Sequence, residues 1–113
     1  MDCVFCKIVA GEIPADVLYQ DDKVIAFRDI NPLAPTHLLI IPKNHIPSLA
    51  QLPDAELSLI GDMVNIANRL AKSEGIAEDG YRVVINCGKQ GGQLVPHLHM
   101  HLLGGRQLSD ALG

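Results

Sequence analysis

Histidine occupies every second position from His97 through His99 to His101, and Leu98, Met100 and Leu102 fill the gaps. No other feature of this 113-residue chain constrains its folding as tightly. Side chains alternate faces along an extended strand. The three imidazoles therefore share one side, each about 6.5 to 7 Å along from the next, and the aliphatic set shares the other. The run predicts a half-buried strand over Pro96 to Leu103, with one face for packing and one for chemistry. A lone histidine is ordinarily a hydrogen-bonded core or surface residue. Three in strict alternation would repel one another if all were protonated, so some stay neutral near pH 7 and keep a free ring nitrogen. Two chemistries are then open: a metal site using two or three of the rings, and a nucleophilic site in which the middle ring attacks an electrophile.

The rest of the chain supplies a setting for such a strand. Val4 to Ala10 reads as a short helix before Gly11, and Pro14 forces an extended exit. Asp16 to Gln20 and Lys23 to Asp29 read as strands joined by a tight turn at Asp21-Asp22, an antiparallel hairpin. His37 to Ile41 is an apolar, β-branched run closed by Pro42, a buried strand. Between Pro53 and Gly75 lies the one long helical pattern. Leu57, Ile60, Val64, Ala67 and Ala71 recur at spacings of three and four, widened by Met63 and Leu70. Pro53 suits the first helical turn, Asp54 and Glu56 its positive end, and Gly75 its exit. Tyr81 to Asn86 reads as a further strand. Strands outnumber helices and most neighbours can be joined by short connections, so the expected class is α+β: an antiparallel sheet of about five strands with two helices. Residues 1–113 form a single domain in this reading, with no linker or repeat to divide them.

Composition narrows the function classes. Nine basic against thirteen acidic residues give a formal charge of −4, which argues against a nucleic-acid partner and leaves a small anionic ligand open. No apolar run approaches the roughly 18 residues of a membrane span, and the N-terminus lacks a basic-then-apolar leader. Three cysteines make a poor disulfide framework, so the expected location is the cytoplasm.

Just upstream of the histidines, Gly91-Gly92-Gln93 forms a loop in which small residues let main-chain N–H groups approach a ligand, and Gln93 can offer an amide donor. Coupled to the histidine row, such a loop suits phosphate oxygens. The stretch from Gly91 to Leu103 resembles the signature of the histidine-triad (HIT) family. The likeness continues in Phe5-Cys6-Lys7-Ile8, Gly11-Glu12-Ile13-Pro14, Ala26-Phe27-Arg28-Asp29-Ile30, Pro35-Thr36-His37, Ile41-Pro42-Lys43, Gly80-Tyr81-Arg82 and Gly104-Gly105-Arg106, and is nearest to the Hint-like branch.

The resemblance implies the HIT fold, a homodimer with its sheets joined across the two-fold, and hydrolysis of purine nucleoside 5′-phosphoramidates or related nucleotidyl conjugates. By the family pattern His99 attacks the α-phosphorus to form a covalent nucleotidyl-histidine, which water hydrolyses. His101 and Gln93 contact phosphate oxygens, with N–H groups of the loop around Gly92 assisting. His37 orients His99 by fixing its tautomer, Asn86 stands at the phosphate or scissile side, Asp29 accepts from the ribose hydroxyls, and Phe27 and Ile30 wall the base pocket. Leu94 stands where many Hint-like members have a serine proposed to protonate the leaving group, and Pro96 where they often have tyrosine. The rival activities are dinucleoside polyphosphate hydrolysis, a catalytic metal held by the triad itself, and nucleotide sensing by an adaptor with incidental turnover.

Cys3-Val4-Phe5-Cys6 is a C-x-x-C motif: a redox pair, half a zinc site, or two small apolar residues of the first helix. Redox is disfavoured because no βαβ context surrounds it. The resemblance implies structural zinc closed by His45 and His97, which would leave His99 and His101 for the phosphate.

Overall fold

The computed structural model describes residues 3–112. Its fold is α+β. Helix α1 (Val4–Val9) is followed by strands β1 (Val17–Gln20), β2 (Val24–Arg28) and β3 (Thr36–Pro42), helix α2 (Ser58–Ser73), and strands β4 (Tyr81–Val84) and β5 (Met100–Gly104). The five strands make one antiparallel sheet in the order β1-β2-β3-β5-β4.

Local chemistry explains the elements. In the β1–β2 turn one Asp21 oxygen accepts from the N–H groups of Lys23 and Val24, both at 2.8 Å, and the other accepts from the Tyr19 hydroxyl. Those bonds hold the Asp21 carboxyl below its usual range. At the start of α1 the Cys3 sulfur accepts from the Cys6 N–H, a cap made by a thiol. Pro53 opens no α-helical turn. It caps a 3₁₀ turn, Asp54–Glu56, and α2 proper begins at Ser58. Gly75 leaves the helix with φ +76°, as a helix exit requires. The Arg28 guanidinium then donates to both oxygens of Glu74, pinning the end of α2 to β2.

Strand register sorts the sheet into two faces. Val24, Ala26, Leu38, Ile40, Met100 and Leu102 face α2 and are buried with Met63, Ile66, Ala67, Leu70 and Ala71. Truncating the fully buried Met63 to alanine would cost about 2–5 kcal/mol. The expected helical stripe is rotated: Ile66 is buried while Leu57 and Val64 stay exposed. On the opposite face, Cys3 and Phe5 of the α1 segment cover Ile25, Phe27, Leu39 and Ile41. That helix is short. Beyond α1 the same face carries His37, Leu103, His101, Val84 and Arg82, which pair across β3, β5 and β4.

Candidate active site

The expected strand over Pro96 to Leu103 begins only at Met100. His97 and His99 lie in the approach to it, where the His97 N–H donates to the Val95 carbonyl and the Leu98 N–H to the Ile46 carbonyl. Off the ladder, the His97 carbonyl is available to a side chain. It accepts from Nδ1 of His99 at 2.7 Å. The Nδ1–H bond leaves Nε2 of that ring with its lone pair.

A second chain of bonds fixes the other rings. The Leu33 N–H donates to His37 Nδ1 at 3.0 Å, so the neutral His37 ring carries its proton on Nε2. That Nε2–H donates to His101 Nδ1 at 2.9 Å, with Asp29 Oδ2 at 3.4 Å from the same nitrogen. His101 must then hold its own proton on Nε2. His37 thus orients His101 and not His99, whose tautomer is held by main chain. Burial pushes the His101 pKa down to about 4, helped by the neighbouring His99 and His37, with Asp29 opposing. Burial likewise lowers His37 against the pull of Asp29. Both rings are neutral at pH 7. The His99 and His101 rings stand 5.0 Å apart, centroid to centroid.

The Gly91-Gly92-Gln93 loop is real but turned inward. A Cβ on Gly91 would collide with the Cys87 carbonyl oxygen, and Gly92 has φ +83°, so both positions require glycine. The N–H groups of Gly91, Gly92 and Gln93 donate to the loop's own carbonyls at Gly88 and Lys89. The Gln93 amide donates to the Pro47 and Val95 carbonyls and accepts from the Gly88 N–H. Gln93 is therefore a brace between loops, and the expected donation from Gln93 and Gly92 to phosphate would have to replace these bonds. Asn86 donates to the Gly91 carbonyl and keeps one amide hydrogen for other use.

Beyond His97 the four residues of the expected metal set converge. Cys3 Sγ lies 3.3 Å from His97 Nδ1, and Cys6 Sγ lies 3.2 Å from His45 Nδ1 and 3.6 Å from His97 Nδ1. The two Nδ1 atoms are 3.2 Å apart, and all four donors fall within 4.8 Å of one another. A tetrahedral zinc with Zn–S near 2.3 Å and Zn–N near 2.0 Å separates its donors by roughly 3.3 to 3.8 Å, so the set fits. His97 Nε2 donates to the Pro42 carbonyl at 2.8 Å, which turns the Nδ1 lone pair toward the thiols. Burial, then the neighbouring Cys3, pushes the Cys6 thiol up, so thiolates here call for a cation.

Of the remaining expected residues, Phe27 is buried edge-on beneath Phe5, with ring centroids 5.7 Å apart, while Ile30 is 89% exposed beyond the end of β2. Phe5 also meets His99 edge-on at 5.2 Å. His101 lines an open cavity of about 280 Å³ together with Leu33, His37, Asn86, Arg82 and Arg106. Sequence reasoning missed Arg82, although its signal is present: Val84 pairs with His101, so Arg82 two residues earlier shares that face. The carbonyls of His97 and Pro42 and the N–H of Leu33 carry no sequence signal at all.

Residues 10–108 match the HIT domain. The chain belongs to the HIT family. It is 51% identical to a purine nucleoside phosphoramidase of Escherichia coli (strain K12) over 111 residues, covering 98% of this chain and 93% of that protein. It is 53% identical to a 14 kDa zinc-binding protein of Zea mays, covering 94% and 84%. Among solved structures, a HIT family hydrolase from Legionella pneumophila Philadelphia 1 matches with a TM-score of 0.95 at 51% identity, covering 99% of this chain and all of that one. A histidine triad protein from Clostridium difficile matches with a TM-score of 0.96 at 47% identity, covering 99% and 97%. Family, fold and the hydrolytic histidine-triad chemistry are thereby set.

Proposed function

We propose that this HIT-family hydrolase cleaves purine nucleoside 5′-phosphoramidates through a covalent nucleotidyl-histidine on His99. The observation that carries the reading is the His99 tautomer: Nδ1–H is held by the His97 carbonyl, so Nε2 is the nitrogen left to act as nucleophile, beside a neutral His101. Nε2 bonds to the α-phosphorus as the P–N bond to the leaving amine breaks. The ring becomes cationic, and the His97 carbonyl at its Nδ1–H stabilises that charge. His101 Nε2–H donates to a phosphate oxygen, and its low pKa keeps it neutral. The amine departs with the bonding pair and takes a proton from water, since Leu94 offers none. The hydroxide left by that transfer then attacks phosphorus, the P–Nε2 bond breaks with its electron pair returning to Nε2, and the nucleoside monophosphate leaves a neutral His99. Asp29 keeps lone pairs for the ribose hydroxyls, and the exposed Ile30 offers apolar surface to the base, while Phe27 lies buried under Phe5 and supports that wall from beneath.

The same proposal places structural zinc on Cys3, Cys6, His45 and His97, supported by the donor distances and by the zinc-binding relative. Bound zinc would supply a crosslink between the α1 segment and the approach to β5. Thiolate ligands of this kind persist in a reducing compartment, in keeping with a cytoplasmic single-domain protein over residues 1–113. Among the described residues no helix is long and apolar enough to cross a membrane. Edge strand β4 exposes Tyr81 and Val83, and α2 exposes Val64, apolar surface suited to pairing with a second copy in a homodimer.

The test is to quench wild type and His99→Ala during turnover of adenosine 5′-phosphoramidate and locate any nucleotidyl adduct by peptide mass spectrometry. An adduct on His99 in wild type alone is expected. Turnover that proceeds at equal rates in both, or stops with chelation and leaves no adduct, would refute the assignment.

A further inference from the structure

His97 serves two clusters at once. Its Nδ1 lies 3.3 Å from Cys3 Sγ and 3.6 Å from Cys6 Sγ, while its carbonyl accepts the Nδ1–H of His99 at 2.7 Å. Phe5, between the two cysteines in sequence, makes a second link. Its ring meets that of His97 at 5.8 Å and that of His99 at 5.2 Å, both edge-on. Whatever holds the α1 segment to residue 97 therefore also holds the ring of the nucleophile and the acceptor that fixes its tautomer.

That fastening is oxidisable. Cys3 caps α1 and Cys6 lies in its first turn, with Cys3 buried and Cys6 half-buried. Their sulfurs fall within 4.8 Å of each other, and a C-x-x-C pair at a helix start is within reach of an intramolecular disulfide. A wholly antiparallel sheet speaks against an oxidoreductase acting on other proteins, and leaves the oxidation of the pair itself. We propose that Cys3 and Cys6 form a redox latch on the active site: a hydroperoxide converts them to a disulfide, zinc is expelled, and turnover at His99 slows until a dithiol restores the pair. The inference rests on the zinc and nucleotidyl-histidine readings above. The Cys6 thiolate, the more accessible of the two, attacks a peroxide oxygen, the O–O bond breaks, and a sulfenic acid and hydroxide form. The Cys3 thiolate then attacks the Cys6 sulfur, the S–S bond forms, and a second hydroxide leaves. Solvent protons turn both hydroxides to water. Peroxide gains the two electrons that the thiolates lose, and zinc, left with His45 and His97 alone, dissociates. The brake is partial, because the Leu98 N–H bond to the Ile46 carbonyl and the His97 Nε2–H bond to the Pro42 carbonyl remain.

The experiment treats the zinc-loaded protein with hydrogen peroxide. Zinc released to a chromogenic chelator, the Cys3 to Cys6 disulfide by peptide mass, histidine nitrogen-15 spectra and turnover of adenosine 5′-phosphoramidate are followed together. About one zinc should be released per disulfide, and kcat should fall about tenfold with KM within about twofold, the residual adduct still forming on His99. The spectra should pass from one His99 tautomer to a mixture of both. Dithiothreitol with added zinc should reverse every change. Cys87→Ser should respond as wild type does, and Cys6→Ser, which cannot form the disulfide, should lose the peroxide response whatever its own basal rate. Disulfide formation and zinc release with kcat unchanged, oxidation of the pair with zinc retained, or inhibition that persists in Cys6→Ser overturns the latch alone. Protein that takes up no zinc overturns the metal assignment and the latch with it. Untreated protein that does not cleave the phosphoramidate overturns the nucleotidyl-histidine reading and, again, the latch.

Discussion

His97 and His99 stand two residues apart, both buried, and use their ring nitrogens in opposite senses. His97 gives its Nε2–H to the Pro42 carbonyl and turns Nδ1 toward Cys3, Cys6 and His45. His99 gives its Nδ1–H to the His97 carbonyl and keeps Nε2 for the open half of the sheet. Residue type is the same and exposure nearly so. What separates a metal ligand from a nucleophile is which nitrogen a main-chain carbonyl meets, and that is set by the path of residues 96–99 before they join the ladder.

Four outcomes would break or sharpen this contrast. The largest is expected from His99→Ala, which should lower phosphoramidate turnover by at least about 10³-fold while metal content and Tm stay near wild type. Parallel loss of bound metal would show that the two rings are not functionally separate. Next, His37→Ala removes the donor that fixes the His101 tautomer and should cost roughly 10- to 100-fold in kcat/KM with zinc stoichiometry unchanged. A rate within twofold of wild type would release His37 from that role.

Metal removal addresses the other ring. Chelation, or Cys6→Ser, should lower Tm by about 10 °C, because a ligand bound only by the folded state stabilises it by mass action. An unmoved Tm would mean that the four donors hold no structural ion. The smallest effect is expected from pH. Folded-state pKa values of His37 and His101 lie below 6.5, so above that pH their neutral burial is without penalty. As pH falls from 6.5 toward about 4 the unfolded chain takes up protons that the fold refuses, and stability is lost across that window. Thermal melts at pH 7 and pH 5 should show a Tm drop of roughly a few degrees that shrinks in His101→Gln.

The sheet and its histidine face were legible because alternation at positions 97–102 and the apolar run at His37 to Ile41 allow few other placements. Helix α2 was legible as a helix but not in its rotation. Seven apolar positions offered a stripe wider than the buried one, and packing against Leu38, Ile40 and Leu102 selected Ile66 over Leu57 and Val64. At the site, the residue types of the triad and of the Cys-His set identified both clusters. The late start of β5 and the inward turn of the Gln93 loop were not legible, since both depend on hydrogen bonds to Val95, Ile46 and Pro47 contributed by main chain. Arg82 could be read as a site residue only once its pairing with β5 was known.

The account's central claim is that main-chain carbonyls assign opposite tautomers to His97 and His99. Nitrogen-15 NMR of the histidine rings at pH 7 tests it directly, because protonated and lone-pair ring nitrogens resonate far apart. The expected spectrum has His99 protonated at Nδ1 and lone-paired at Nε2, with His97 protonated at Nε2. A proton on His99 Nε2 would contradict the account.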